Sequence, residues 1–414
     1  MPARRAPSVL YISYDGALEP LGQSQVLPYL RGLSSRGAAI TLISFEKPAD
    51  AMVPGRIETL RAELAGQRIR WIPVRFHARP RLLAKPLDLL LGMVRAGAAV
   101  TRDRVHIIHA RSYVAALIAW LLTRVFRVRF IFDMRGFWAD ERVEGGLWPA
   151  DGLLYRLAKR LERRFVEDAD TIVTLTERAR LTVEGWARSG APQVVVVPTC
   201  VDLVRFPRAE RTGRADDARV FVYAGSLGTW YLLDEMLRFI EEARARCPRT
   251  RMLIVTRDRE AAAAGLSRSR LAPERVTIVS AASAEMPTWL READAGLAFY
   301  KPGWGRQGTC PTKVGEYLAT GLPVVVNDAV GDMGSVVTAN RVGVALSQFT
   351  PEARVRALDE LHDLWSDASL AARCRHLAES YFSLDVGVDR YWDVYRRLAS
   401  FSGPPHVDSI GGGV

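Results

Sequence analysis

The chain has 414 residues, 49% hydrophobic and 25% charged, enough for two or three folded domains with ordinary cores. That composition excludes a collagen-like or wholly disordered chain, and four cysteines tens of residues apart (Cys200, Cys247, Cys310, Cys374) show neither a disulfide framework nor a CxxC metal site. Lys and Arg outnumber Asp and Glu by 57 to 46, a formal charge of +11, with seven basic residues between Arg75 and Arg104 and five between Arg156 and Arg164. Such fields attract phosphates, anionic lipid or nucleic acid, or are simply a solvated arginine-rich surface.

Val9–Ser13 reads as a buried strand, followed by a loop over Tyr14–Gly22. Helical spacing of Val26, Leu30 and Leu33 predicts a helix over Gln25–Ser34, with Pro28 tolerable in its first turn and Gly37 as its stop. Ala39–Ser44 is a second strand, closing a βαβ unit. The pattern repeats: helix Ile57–Leu64, strand Ile69–Pro73, helix about Leu83–Val100, strand Val105–His109, helix Val114–Arg124, strand Arg129–Asp133. An amphipathic helix Leu153–Ala169 and strands Thr171–Thr174 and Val194–Val197, around another helix, follow, and Pro198–Asp202 ends the sheet. Pro207–Asp217 reads as a linker. The pattern restarts with strand Arg219–Ala224, turn Gly225–Gly228, helix Leu232–Arg244 and strand Arg251–Val255. Strands at Val276–Val279, Ala295–Phe299, Pro323–Val326 and Val342–Val344 continue it, with helices near Met286–Glu292, Thr312–Thr320 and Pro351–Leu364 between them. Helix Leu370–Ser380, a bend near Asp385 and a final helix Val388–Leu398 lead into a Gly- and Pro-rich tail expected to be mobile.

Buried runs alternating with helices predict an α/β protein of two tandem doubly wound, Rossmann-like domains, with the site in the cleft between them. The expected boundaries are 1–206, linker 207–217, 218–385, a returning helix 386–400 and a tail 401–414.

The strongest chemical signal is Gly308–Asn327. Pro311 suits the first turn of a helix, with Thr309 or Cys310 near its cap, and free amides there can hold an anion. Lys313 adds a point charge for phosphate, and Glu316, about one turn on, can accept hydrogen bonds from the two hydroxyls of a ribose. The competing reading is an ordinary surface ion pair between these two residues. In the loop before the first helix, amides around Gly16, Gly22 and Gln23 could approach a phosphate or sugar, although two glycines do not make a GxGxxG fingerprint and spacing alone favours a tight turn with a polar cap. Gly225 and Ser226 open the second half in the equivalent place. Asp133–Glu141 gathers acidic, basic and aromatic residues at a strand end: Asp133 could act as base or orient a sugar hydroxyl, and Arg135 could face a phosphate or acidic acceptor, or Asp133 could merely cap a turn. Arg306 is a second candidate phosphate ligand, and His109 is read as structural. No HExxH, zinc-ligand cluster or GxSxG elbow is present.

Together, Leu21–Leu30, Asp133–Glu141 and Pro311–Pro323 resemble the retaining GT4 family of glycosyltransferases with the GT-B fold, over nearly the whole chain. The resemblance implies a nucleotide-sugar donor held mainly by the C-terminal domain, an acceptor held by the N-terminal domain, metal-independent transfer, and a final helix crossing back to the first domain. Glu316 matches the second glutamate of the family's E-x7-E motif. The first falls on Gly308, the usual Arg and Lys after the second-domain glycine turn are missing, and the family's catalytic histidine has no obvious counterpart near Asp133. The Gly308 amide, Ser226, Arg306 and Arg257 are expected to compensate in part at the donor, which Thr309 is also expected to contact.

The expected partners are a nucleotide sugar, a glycan or lipid-linked acceptor, and an anionic membrane surface, with no specific nucleic acid and no metal or other cofactor. Cysteine usage, the lack of a leader-like segment and the lack of a long apolar run predict a cytoplasmic protein, peripheral at the inner face of the cell membrane. An epimerase or hydrolase on the same fold and a non-catalytic basic binding protein are the rival readings.

Overall fold

A computed structural model describes residues 6–186, 192–209, 218–328 and 330–400. The expected linker extends over 210–217 and the expected tail over 401–414, which lie outside the described residues. The chain divides into two compact units. One comprises residues 1–143, 148–197 and 387–414, the other 144–147 and 198–386.

The first unit carries a seven-stranded parallel sheet: β1 (Ser8–Ser13), β2 (Ala39–Glu46), β3 (Ile69–Arg75), β4 (Ile107–Arg111), β5 (Arg129–Asp133), β6 (Thr171–Thr174) and β7 (Gln193–Val196), in the order β3-β2-β1-β4-β5-β6-β7. The second carries a six-stranded parallel sheet: β8 (Val220–Ala224), β9 (Arg251–Val255), β10 (Val276–Val279), β11 (Ala295–Ala298), β12 (Val324–Asn327) and β13 (Gly343–Leu346), in the order β10-β9-β8-β11-β12-β13. Strands such as Phe130–Phe132 and Val324–Val326 are buried throughout, as runs covered by helices on both faces must be. This is the doubly wound α/β architecture read from the sequence. In each sheet the strand order reverses beside the first strand, between β1 and β4 and between β8 and β11, and ligand crevices open at the carboxyl ends of strands at such points.

Several element boundaries differ from expectation. The first helix is two, Pro20–Gln25 and Leu27–Ser35, broken at Val26 (φ −120°), so the loop ends at Glu19 rather than Gly22. Each piece begins with proline in its first turn, where no intrahelical N–H is required. β4 runs two residues later than predicted, ending at Arg111. The last helix, Leu384–Ser400, starts before the predicted bend. From Gly387 onward it belongs to the first unit. Gly32 has no side chain where Val388 packs: a β-carbon there would come within 2.7 Å of Val388 Cγ2. Arg36 pairs with Asp389 at 2.6 Å, and Arg390 donates to the Val196 carbonyl at 2.9 Å. Val388, Val394 and Leu398 are buried, each contributing roughly 1.5–3 kcal/mol.

In the second unit one glycine sets the position of the helix Thr312–Ala319. Gly296, in β11, lies flat against the ring of Tyr317, and a β-carbon there would fall 2.1 Å from Tyr317 Cδ2. The buried Tyr317 hydroxyl accepts the Ala224 amide at 2.8 Å, so the ring cannot retreat without losing that bond. Gly296→Ala is therefore expected to destabilise the protein by about 3 kcal/mol. A lowered urea midpoint at unchanged slope is the expected readout; an unchanged midpoint would mean the ring yields freely.

Candidate active site

The sequence-predicted residues fall into two groups, one in each unit. In the second unit, Lys313 is 7% exposed. Its Nζ lies 4.0 Å from the ring centroids of both Tyr223 and Tyr231 and 5.6 Å from that of Tyr300. Tyr223 comes from β8, Tyr231 from the following turn and Tyr300 from just beyond β11, so the cage straddles the strand-order reversal. Gly225 closes it. Its φ of +133° suits glycine, and a β-carbon would sit 3.0 Å from Nζ. The ammonium nitrogen has no hydrogen-bond partner. Burial holds its pKa well below the ordinary lysine value, with only Glu316 pulling it back. The three aromatic faces favour the cation, but none accepts its three N–H bonds. The surface ion-pair reading therefore does not hold: this is a buried amine suited to an anion.

Glu316, one turn on, is partly buried. Burial pushes its carboxyl up to about 7, against the pull of Arg205 and Lys313. The expected Thr309 or Cys310 cap is corrected: Pro311 occupies the N-cap position and no side chain caps the helix. Proline lacks an N–H but has the extended conformation required there (φ −71°, ψ 125°).

Arg306 is buried, its guanidinium 4.0 Å above the Trp230 ring and its Nη1 donating to Thr309 Oγ1 at 3.4 Å. Its Nε lies 4.0 Å from Glu144. It is thus held by an aromatic face, a hydroxyl and a carboxylate. Gly308 is buried at the end of the turn Trp304–Gly308. Ser226 and Arg257 are exposed on neighbouring turns after β8 and β9, which Asp258 ties together by accepting the Leu227 amide at 2.7 Å.

In the first unit, β4 and β5 lie in register with Arg111 beside Asp133. Asp133 is fully enclosed. Its Oδ2 accepts the Tyr391 hydroxyl at 3.0 Å and faces His109 Nε2 at 3.4 Å. His109 Nδ1 in turn meets the Tyr395 hydroxyl at 2.8 Å. Burial lowers the histidine's pKa, although Asp133 opposes this. A neutral imidazole donating to Asp133 and accepting from Tyr395 leaves every bond with one hydrogen. For Asp133, burial acts to raise the pKa, but Arg135, His109 and Arg111 outweigh it and hold the group below the usual carboxylate value. Its Oδ1 has no hydrogen-bond partner and lies 4.0 Å from Arg135 Nη1. Arg135 takes a left-handed backbone (φ 59°), a strained conformation of the kind concentrated at working sites. The cluster thus leaves one enclosed carboxylate oxygen, beside Arg135, without a hydrogen-bond partner.

The glycine loop is accounted for differently. Its amides are taken by carboxylates: Ala17 and Leu18 donate to Glu46 at 2.8 and 3.1 Å, and Gly16 to Glu19 at 3.1 Å. Gly22 is buried with no room for a side chain, since a β-carbon would fall 2.1 Å from the Gly16 carbonyl oxygen, and the Gln23 side chain donates to the Ala17 carbonyl at 2.8 Å.

Sequence reasoning missed the Tyr223–Tyr231–Tyr300 cage and the Tyr391–Tyr395 pair. The available signals were tyrosines at strand ends and two tyrosines four residues apart on one helix. Among the described residues, no three His, Cys, Asp or Glu side chains are grouped as a metal ion would require.

Residues 22–200 match the model of the glycosyl transferase 4-like domain, and 218–363 that of the glycosyl transferases group 1. No curated protein sequence matches. Among solved structures, the chain is similar to a sucrose-phosphate synthase from Thermosynechococcus elongatus (TM-score 0.72, 16% identity, 95% of this chain and 99% of that one). It is also similar to a glycosyltransferase from Rickettsia africae (0.68, 14%, 96% and 100%). A third is Anabaena HepE in complex with UDP and glucose (0.66, 14%, 94% and 99%). At these identities the likeness establishes the two-domain fold.

Proposed function

Because this chain belongs to the GT4-type glycosyltransferases of GT-B fold, we propose that it moves a hexose from a nucleoside diphosphate sugar to a hydroxyl of a glycan or lipid-linked acceptor, with retention of configuration. The observation that carries the donor assignment is the buried, unpartnered Lys313 amine at the strand-order reversal of the second unit. The diphosphate pairs with Lys313, and the Glu316 carboxylate accepts the two ribose hydroxyls. A uridine nucleotide is the first choice of donor, in keeping with the UDP held by the similar HepE.

In this reading Arg306, Ser226, Arg257, the Thr309 hydroxyl and the amide of Gly308 complete the diphosphate site, replacing the missing glutamate and basic pair. Asp133 and Arg135 hold the acceptor. The C1–oxygen bond to the leaving diphosphate breaks as the acceptor oxygen bonds to C1 on the same face. The acceptor proton passes to a departing phosphate oxygen. The protein's contribution is to stabilise the charge developing on that phosphate, and cationic side chains serve this without a metal ion. In this reading the enzyme works in the cytoplasm, at the membrane face, in polysaccharide or glycolipid synthesis.

The test is incubation with a panel of nucleotide sugars and candidate acceptors, with product analysis by mass spectrometry and anomeric configuration by NMR. Sugar transfer to an acceptor with the anomer retained is expected. Isomerised or hydrolysed donor in the presence of acceptor would replace this reading with the epimerase or hydrolase one.

A further inference from the structure

Two helices of the first unit share an unusual division of charge. In Arg81–Arg102 the aliphatic side chains of Leu83, Leu87, Leu90 and Val94 are exposed, at a spacing that puts them on one stripe. Lys85, Arg95 and Arg102 are exposed on the same helix. Its one acid, Asp88, is fully buried, accepting the Tyr14 hydroxyl at 2.7 Å and pairing with His77 at 2.7 Å. Leu153–Asp168 repeats the arrangement. Leu153, Leu154 and Leu157 are 78%, 64% and 50% exposed, among exposed Arg156, Arg160, Arg163 and Arg164. Glu162 is fully buried against Tyr113 and Lys159, and Glu167 at the far end pairs with Arg164. On the second helix leucines and arginines share the outer face of the leading half. On the first, the leucine stripe is flanked about a quarter turn away by Arg95 and Arg102, while Lys85 turns to the other side, over the Tyr14 ring at 4.5 Å. The leading half of neither helix exposes an acid.

These helices lie on one face of the sheet, with Ser112–Thr123 packed between them. Each returns the chain from the carboxyl edge of one parallel strand to the amino edge of another. Their leading turns therefore sit at the carboxyl edge of the sheet, the same edge at which Asp133 ends β5.

We propose that this pair of helix faces is a docking surface for an anionic lipid bilayer, with the leucines entering the headgroup boundary and the arginines and lysines engaging lipid phosphates. Charge complementarity identifies the occupant. A second copy would set cation against cation, and a nucleic acid would leave exposed leucines without a partner. A bilayer uses both components: apolar area and charge add in interfacial binding. Neither helix is long and apolar enough to cross a membrane, so both lie on its surface. The inference stands on these faces alone and does not depend on the donor assignment.

The experiment is sedimentation of the full chain with vesicles of phosphatidylcholine containing roughly one-third phosphatidylglycerol, and with phosphatidylcholine alone. The expected result is binding to the anionic vesicles only, weakened by salt. The double variants Leu87→Ser/Leu90→Ser and Leu153→Ser/Leu157→Ser should each weaken partitioning by about tenfold or more. Arg156→Glu/Arg160→Glu should do the same. Equal melting temperatures would show that these exposed substitutions leave the fold intact. Absence of binding to anionic vesicles overturns the proposal. So does binding to heparin and vesicles alike with no effect of the leucine variants, which would mark a general polyanion surface. Concentration-dependent dimerisation abolished by the leucine variants, without vesicle binding, would make the faces an interface between copies.

Discussion

Lys313→Met is expected to weaken nucleoside diphosphate binding by about 100-fold while leaving the ligand-free protein as stable as before or more so. The two effects have one cause. In the free protein the amine is enclosed by three tyrosines with no acceptor for its hydrogens, and burial works against its charge. Because its pKa is lowered on folding, it costs stability at every pH below the ordinary lysine value. Methionine fills a similar volume and removes that cost. With a diphosphate bound, the charge gains its partner, and the pair is strengthened by the low-dielectric surroundings. Titration calorimetry and a melting curve on the same preparations read both quantities. Unchanged nucleotide affinity would remove Lys313 from the donor site.

For Glu316 the expected signature is in pH. Its carboxyl is pushed up to about 7 in the folded protein, against an ordinary value near 4.5. Between those values the native state holds a proton that the unfolded chain has released. Stability from this group is therefore fully present below about pH 4.5 and is lost as pH rises through about 7, by up to ~3 kcal/mol. Glu316→Gln should remove that component, visible as the difference between the wild-type and variant stability profiles. Nucleotide affinity should run the other way. Only the carboxylate accepts hydrogen bonds on both oxygens, so wild-type affinity should climb through about pH 7, while the glutamine variant stays weak and comparatively flat. Parallel profiles for the two proteins would show that Glu316 does not hold the ribose.

The strands were legible because buried parallel strands are short continuous apolar runs. Arg129–Asp133, Thr171–Thr174, Arg251–Val255 and Val276–Val279 were placed to the residue. The helix bearing Lys313 and Glu316 was legible from Pro311 and from the glycine stop at Gly321. Pro48–Ala51, Trp138–Glu144 and Met333–Ala339 were missed, since four to seven residues are too few to establish a period, and Arg259–Arg268 was missed because its run of alanines marks no distinct apolar stripe. The break at Val26 was hidden inside a run with good helical spacing. At the site, the sequence supplied the charged groups but not their enclosure. Nothing local connects Tyr223, Tyr231 and Tyr300 to Lys313. Nor does anything local connect His109 to Asp133, which meet only because β4 and β5 are neighbours, or either of them to Tyr391 and Tyr395. His109, read as structural, is fully buried and links Tyr395 to Asp133, two partners that no local pattern connects to it.

The helix Leu384–Ser400 has a consequence for the timing of assembly. The seven strands of the first unit are synthesised before most of the second unit, and their pairing can begin while the remaining chain is still being made. The tyrosines that hold His109 and Asp133 reach the ribosome's exit only after the second unit has been completed. Until then those buried polar groups lack two of their hydrogen-bond donors, and Gly32 lacks the Val388 side chain it is shaped to receive. The first unit to be made is thus the last to be finished, and a nascent chain able to form its donor-side fold is still without a completed Asp133 cluster.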